Sequence, residues 1–98
     1  GFHGHSLQDE LLWMRSQIAL EMENKNLAIQ NLDLLLAEHG DDILADNALI
    51  LLGQLREEDG LLEEAQKLYE QLLREHPDSF FVPEARQHIR RLRGDAPM

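Results

Sequence analysis

The chain has 98 residues, 43% of them hydrophobic and none of them cysteine, so it is long enough for one domain with a modest core and has neither disulfides nor thiolate chemistry. Its formal net charge of −10 argues against nucleic-acid binding, because an acidic surface repels phosphates. No apolar run reaches the roughly 20 residues that span a bilayer, so we expect no membrane insertion by this segment. It begins at Gly1 rather than Met, without a signal-peptide pattern, so we expect a piece of a longer protein whose compartment the sequence leaves open.

Helical spacing predicts two helices in the first half of the chain. The first should end near Glu23, and its apolar stripe consists of Leu7, Leu11, Met14, Ile18 and Met22, widened by Trp13 and Leu20. Asn24 or Asn26 is expected to cap the second helix, and Gly40 suits its C-terminus. The predicted buried face of this second helix is formed by Leu27, Ala28, Leu32, Leu35 and Leu36.

Turn residues separate the helices in the second half of the chain. A third helix is predicted over residues 43–58, with an inward face of Ala48, Leu49, Leu52 and Leu55. Asp59 and Gly60 form a turn signal, and the fourth helix, over residues 61–76, is stopped by Pro77. Its apolar residues are Leu62, Ala65, Leu68, Tyr69, Leu72 and Leu73.

A fifth helix closes the chain. Asp78 or Ser79 is expected to cap it, Pro83 fits its first turn, and Gly94 ends it. Its apolar face consists of Ala85, Ile89 and Leu92. The sequence therefore predicts an all-α fold of five helices joined by short loops.

Two stretches of the chain are copies of each other, 37 residues apart. Residues 38–48 lie over residues 75–85, with Glu, His, Asp and a final Ala at the same places. The register extends backwards through pairs such as Gln17 with Gln54. A period in the thirties with helical content indicates stacked antiparallel helix pairs, an α-solenoid, and such arrays are known chiefly for binding surfaces.

The second copy carries a spacing of small, aromatic and turn residues that resembles a tetratricopeptide repeat (TPR). The residues that match are Leu49, Leu52, Gly53, Gly60, Ala65, Tyr69 and Pro77. Gly53 and Ala65 let two helices approach closely, and Tyr69 fills the space beside them. The first copy fits more loosely, with Ser16, Ala28, Leu32 and Gly40 at the positions of the small, alanine, aromatic and proline residues of the family pattern. Near the end of helix A, where the family has an aromatic residue, the first copy has Ala19 and the second has Arg56.

The resemblance implies a division of the chain into a leader, two repeats and a capping helix. The predicted bounds are a disordered leader over 1–6, a TPR domain over 7–93 and a disordered tail over 94–98. Within the domain, repeat 1 covers about 9–45, repeat 2 about 46–79 and the capping helix about 80–93. The chain also resembles the C-terminal segment of longer bacterial TPR arrays, so we expect a fragment of such an array.

In this family the first helix of each pair, helix A, lines a concave groove that receives a partner. Carried over position by position, the resemblance assigns the groove to Glu10, Trp13, Met14, Gln17, Glu21, Asn47, Ile50, Leu51, Gln54, Glu58, Gln87, His88 and Arg91. Ile50 and Leu51 are expected to be exposed there, because Leu49 and Leu52 already supply the core. The implied function is a non-catalytic interaction scaffold for a protein or peptide.

Two alternatives stay open for the apolar groove residues: they pack against a preceding repeat, or they join two copies in a homodimer. The corresponding alternative function is a structural module that self-associates or closes an array, without a ligand of its own. We expect no cofactor and no metal site, since His3 and His5 have no third ligand nearby. The carboxylates of Glu57, Glu58 and Asp59 are interpreted as solvated charges around a turn.

Overall fold

The computed structural model describes residues 7–39 and 43–94, and it confirms the predicted all-α fold. The helices are α1 (Leu7–Glu21), α2 (Lys25–His39), α3 (Ala45–Glu58), α4 (Leu62–Glu75) and α5 (Val82–Leu92). The predicted leader, Gly40, and all of the predicted tail except Gly94 lie outside the described residues. Within the described ranges, none of the helices combines the length and apolarity needed to cross a membrane.

The chain divides into two compact units, residues 1–48 and residues 49–98. In the first unit α1 packs against α2. The backbone N–H of Leu27 donates to Asn24 Oδ1 over 3.2 Å, so Asn24, rather than Asn26, caps α2. The buried side chains of these two helices are Leu12, Ser16, Ala19, Ala28, Ile29, Leu32 and Leu35.

The predicted apolar stripe of α1 is wrong. Leu11, Met14, Ile18 and Met22 are between 42% and 68% exposed, and α1 instead buries Leu12, Ser16 and Ala19. The small side chains of Ser16 and Ala19 permit the close approach of another helix, which the larger residues would prevent. Ser16 satisfies its buried hydroxyl by donating to the carbonyl of Trp13 over 2.6 Å. Leu27, predicted to be buried in α2, is also 42% exposed.

In the second unit the crossing of α3 and α4 follows the predicted arrangement. Ala65 and Tyr69 are completely buried, and Gly53 faces the ring of Tyr69. Gly60 adopts a φ of +79° in the turn between the two helices, a conformation that glycine adopts without steric cost. The remaining core of this unit is supplied by Leu49, Ile50, Leu52, Leu55, Leu72, Ala85 and Ile89.

The start of α5 differs from the prediction. The N-cap residue is Phe81, which makes no side-chain capping bond, and neither Asp78 nor Ser79 occupies that position. Ser79 instead accepts a hydrogen bond from the backbone N–H of Phe81 at its hydroxyl oxygen, over 3.1 Å, within the turn before the helix. Pro83 does lie in the first turn of α5, and Gly94, with a φ of +76°, follows its end.

Candidate functional site

A group of polar side chains from three helices forms the candidate site of the second unit. We call it the Glu57 cluster, and its members are Gln54 and Glu57 of α3, Tyr69 of α4, and Glu84, His88 and Arg91 of α5. Gln54, Glu57 and the neighbouring Glu58 share one side of α3, because residues three and four positions apart lie on the same helix face. A surface recess beside the cluster is lined by Gln54, Glu57, Glu58 and His88.

Glu57 is the acceptor that joins the three helices. The hydroxyl of Tyr69 donates to its Oε1 over 2.8 Å, and the guanidinium of Arg91 contacts its Oε2. Burial alone would raise the pKa of Glu57, since its side chain is only 18% exposed. The hydrogen bonds from Tyr69 and Arg91, together with the positive charge of Arg91, outweigh burial and lower the pKa below its ordinary value. Glu57 is therefore a carboxylate held in its ionised form.

Tyr69 has a structural role in the cluster. Burial, the hydrogen bond to Glu57 and the negative charge of that carboxylate all raise the pKa of Tyr69. Its hydroxyl consequently remains protonated and serves as a donor. This arrangement lets a completely buried ring satisfy its polar end at the edge of the core.

His88 is held by stacking and by polar neighbours on both ring nitrogens. Its ring lies parallel to that of Tyr69, with the ring centroids 4.7 Å apart. Nδ1 is 3.1 Å from Glu57 Oε1 and 2.7 Å from a guanidinium nitrogen of Arg91. Nε2 is 3.6 Å from Glu84 Oε2, an oxygen that also accepts from the side-chain amide of Gln54 over 2.8 Å.

The chemistry that this arrangement offers is recognition by charge and hydrogen bonding. Glu57, Glu58 and Glu84 contribute carboxylates, Arg91 contributes a guanidinium, and Gln54 contributes an amide. The hydroxyl of the cluster, that of Tyr69, stays protonated and donates to Glu57, and the cluster holds no thiol, so it does not offer the activated nucleophile that covalent catalysis uses. No group of three or more metal-ligating side chains suited to a metal ion occurs in the described part of the chain.

Several of the predicted groove residues of the second unit meet at this cluster. Gln54, Glu58 and His88 line the recess, and Arg91 bonds to His88 and Glu57. Gln87 is exposed on α5, and Leu51 is half-buried. The prediction that Ile50 is exposed in the groove is wrong: its side chain is only 5% exposed, so it belongs to the core and cannot contact a partner. Leu49 and Leu52 therefore do not complete the core by themselves.

The predicted groove residues of the first unit divide between a small apolar recess and open surface. Trp13 and Met14 line the recess together with Glu10, Ile43 and Leu44. Trp13 is half-buried and Met14 is 54% exposed. The other predicted positions of this unit are Gln17 and Glu21, which are exposed, and Asn47, which is half-buried.

Three members of the cluster were not predicted from the sequence as site residues: Glu57, Tyr69 and Glu84. The interpretation of Glu57 as a solvated charge was wrong, because it receives hydrogen bonds from Tyr69 and Arg91. One signal was available for it. Glu57 lies one helical turn after Gly53, which Tyr69 was predicted to face, and a buried tyrosine needs an acceptor near its hydroxyl.

A comparison with known protein families matches the part of the chain that carries Gln54, Glu57 and Tyr69 of this cluster. The family model described as a tetratricopeptide repeat matches residues 47–79. These residues comprise nearly all of α3, all of α4 and the turn that follows it. No curated protein and no solved structure matches the chain.

Proposed function

The chain contains a tetratricopeptide repeat over residues 47–79, and from that premise we propose that it is a non-catalytic module that binds a partner polypeptide through α3 and α5. Tetratricopeptide repeats generally mediate protein–protein interaction and are typically non-catalytic. Solenoid repeats of this kind bind through extended concave surfaces. The proposal concerns the face that carries the Glu57 cluster.

The observation that supports this proposal is that four residues, which family resemblance predicts to contact a partner, lie close together in the second unit. Gln54 and Glu58 of α3 and His88 of α5 line one recess, and Arg91 bonds to His88 at its side. Residues more than 30 positions apart in the chain thus form a continuous polar surface. The cluster fixes α5 against α3, because Glu57 and Arg91 pair across the two helices. A pre-organised surface of this kind loses little side-chain entropy when a partner binds.

The chemistry of the surface favours a polar or charged segment of the partner. Glu58 and Gln87 are exposed beside the cluster, and Arg91 is 57% exposed. Such side chains recognise a polypeptide through hydrogen bonds and opposite charges, which determine specificity and the rate of association more than affinity. The proposed partner therefore presents polar groups, rather than an apolar helix, to this face.

Site-specific photo-crosslinking in a lysate of the source organism tests the proposal. A photoreactive amino acid replaces Gln87 in one variant and Glu70, an exposed residue of α4, in a matched control. We expect a discrete crosslinked protein from position 87 that is lost when Glu58→Arg is added, and no such product from position 70. Equal crosslinking from both positions, or a product that survives Glu58→Arg, would contradict binding at this face.

Self-association through the first unit is a second candidate, and the exposure of α1 favours it. Met14 and Ile18 of α1 and Met22, which follows it, are 54%, 50% and 68% exposed, which is unusual for neighbouring apolar side chains. A second copy would remove these side chains from water.

Light scattering after size-exclusion chromatography measures the solution mass and tests this candidate. A dimer of the 11.3 kDa chain that Ile18→Glu abolishes would support self-association. Phe80→Glu, at an 89% exposed side chain of the second unit, is the matched control and should leave the dimer intact. A monomer in both variants and in the unaltered protein would reject the candidate.

A further inference from the structure

Nδ1 of His88 lies beside two groups that make opposite demands on it. A guanidinium nitrogen of Arg91 is 2.7 Å away, and Oε1 of Glu57 is 3.1 Å away. A guanidinium can only donate a hydrogen bond, and an ionised carboxylate can only accept one. Nδ1 therefore bonds to Arg91 when it carries a lone pair and to Glu57 when it carries a proton. It cannot do both at once.

We propose that Arg91 and Glu57 are alternative partners of His88 Nδ1, so that uptake of one proton by His88 transfers its Nδ1 bond from Arg91 to Glu57 and releases the Arg91 guanidinium from the ring. The proposal concerns the protein alone and does not rest on the partner-binding function. It describes a proton-driven exchange of the bonding partner at one ring nitrogen.

With His88 neutral, the cluster is arranged around Arg91. The guanidinium contacts Glu57 Oε2 and donates to the lone pair of His88 Nδ1. The single proton of the neutral ring then resides on Nε2, which faces Glu84 Oε2 at 3.6 Å. Neutral His88 is consequently the Nε2–H tautomer.

With His88 protonated, both ring nitrogens become donors. Nδ1–H then points at Glu57 Oε1 and Nε2–H at Glu84, while the guanidinium of Arg91 faces a second positive charge at close range. Like charges at this separation repel. Since the guanidinium can no longer bond to Nδ1, the contact that held it against the ring becomes a repulsive one.

Packing decides which of the two cations leaves. The His88 side chain is only 17% exposed and is stacked on Tyr69, whereas Arg91 is 57% exposed. The imidazolium therefore stays in place, and the guanidinium at the end of the long arginine side chain moves away from the ring.

Charged or titratable side chains from all three helices of the unit face His88. Carboxylates face the ring from α3 through Glu57, with Glu58 lining the same recess, and from α5 through Glu84. Tyr69 of α4 stays neutral beneath the ring, because burial and the neighbouring carboxylate raise its pKa. Arg91 is the cation that opposes protonation.

Nitrogen-15 NMR of the intact chain tests the tautomer. At pH 8 we expect the His88 ring, assigned by comparison with His88→Gln, to be the Nε2–H form. Arg91→Met removes the donor to Nδ1, and we expect the ring to convert to the Nδ1–H form, donating to Glu57. Arg90→Met, at an exposed neighbouring position of α5, is the matched control and should leave the Nε2–H form unchanged.

The mobility of the Arg91 side chain tests the release. We expect its Nε–H to be ordered at pH 8 and clearly more mobile at pH 5, whereas in His88→Gln its mobility should be the same at both. Circular dichroism of each variant verifies that the helices persist. An Nδ1–H ring in the unaltered protein, an Nε2–H ring in Arg91→Met, or an Arg91 side chain as ordered at pH 5 as at pH 8 would each overturn the proposal.

Discussion

The ring of Tyr69 in α4 fills the space that a side chain at Gly53 of α3 would need. A β-carbon at position 53 would lie 2.5 Å from Cε1 and 2.8 Å from Cζ of the tyrosine ring. Real β-carbons do not come this close to other atoms, so the ring fits only because residue 53 has no side chain. The ring is completely buried and has little freedom to move aside. The contact fixes how closely the two helices of the repeat approach.

Gly53→Ala should therefore destabilise the protein. In an ordinary helix the change would stabilise by about 1 kcal/mol, because alanine is the better helix former. Here the added methyl group overpacks the core, which costs about 1–3 kcal/mol, so we expect a net loss measured by urea unfolding. The loss should shrink in a Tyr69→Leu background, where the ring is gone. A stabilised Gly53→Ala variant would contradict the steric account.

Tyr69→Phe should weaken the second unit without disturbing its packing. The change removes the hydroxyl that donates to Glu57 over 2.8 Å and leaves the ring in place. Hydrogen bonds to charged groups contribute about 1.5–3 kcal/mol, so we expect a loss of about this size or somewhat less in urea unfolding. In a Glu57→Ala background the same change should cost much less. Equal costs in both backgrounds would mean that the bond to Glu57 adds nothing.

Glu57 should make the stability of the protein depend on pH. Burial opposes its ionisation, but the bonds from Tyr69 and Arg91 prevail and hold its folded pKa below the ordinary value of 4.5. A carboxyl group whose pKa is lower in the folded protein than in the unfolded chain stabilises the fold. This stabilisation is complete above the pKa of the unfolded chain and is lost as the pH falls through the pKa of the folded protein. The unaltered protein should therefore melt at a higher temperature than Glu57→Gln above about pH 5.5, and the difference should decrease below about pH 4.5.

The control for this pH dependence is Glu70→Gln, which alters an exposed carboxylate of α4. We expect its melting temperature to follow that of the unaltered protein much more closely across the same pH range. A difference between Glu57→Gln and the unaltered protein that is constant from pH 7 down to pH 3 would rule out a depressed pKa.

Adjacent leucines of α1 should differ sharply in their contribution to stability. Leu12 is 7% exposed and Leu11 is 42% exposed. Leu12→Ala should cost about 2–5 kcal/mol through lost burial and the cavity left behind, whereas Leu11→Ala should cost about 1 kcal/mol or less. Urea unfolding of the two variants measures both values. Similar costs would show that the buried face of α1 has been assigned to the wrong side.

The sequence by itself determined the helices and the crossing within the matched repeat. Helical spacing, turn residues and the 37-residue period depend on neighbours along the chain, so they can be counted directly. The same holds for Gly53, Ala65 and Tyr69, because a small residue opposite an aromatic one identifies a close helix crossing. Family resemblance also assigned Gln54, Glu58 and His88 to one partner-binding face, and that assignment remains a prediction.

Only the tertiary structure decided which face of α1 is buried, that Ile50 belongs to the core, and that Glu57 is a shared acceptor. Counting large apolar residues selected the wrong side of α1, because close packing favours the small side chains of Ser16 and Ala19. The roles of Glu57 and Arg91 depend on a contact between residues 34 positions apart. No local pattern encodes such a contact, since it arises only when α5 folds back beside α3 and brings their charges together.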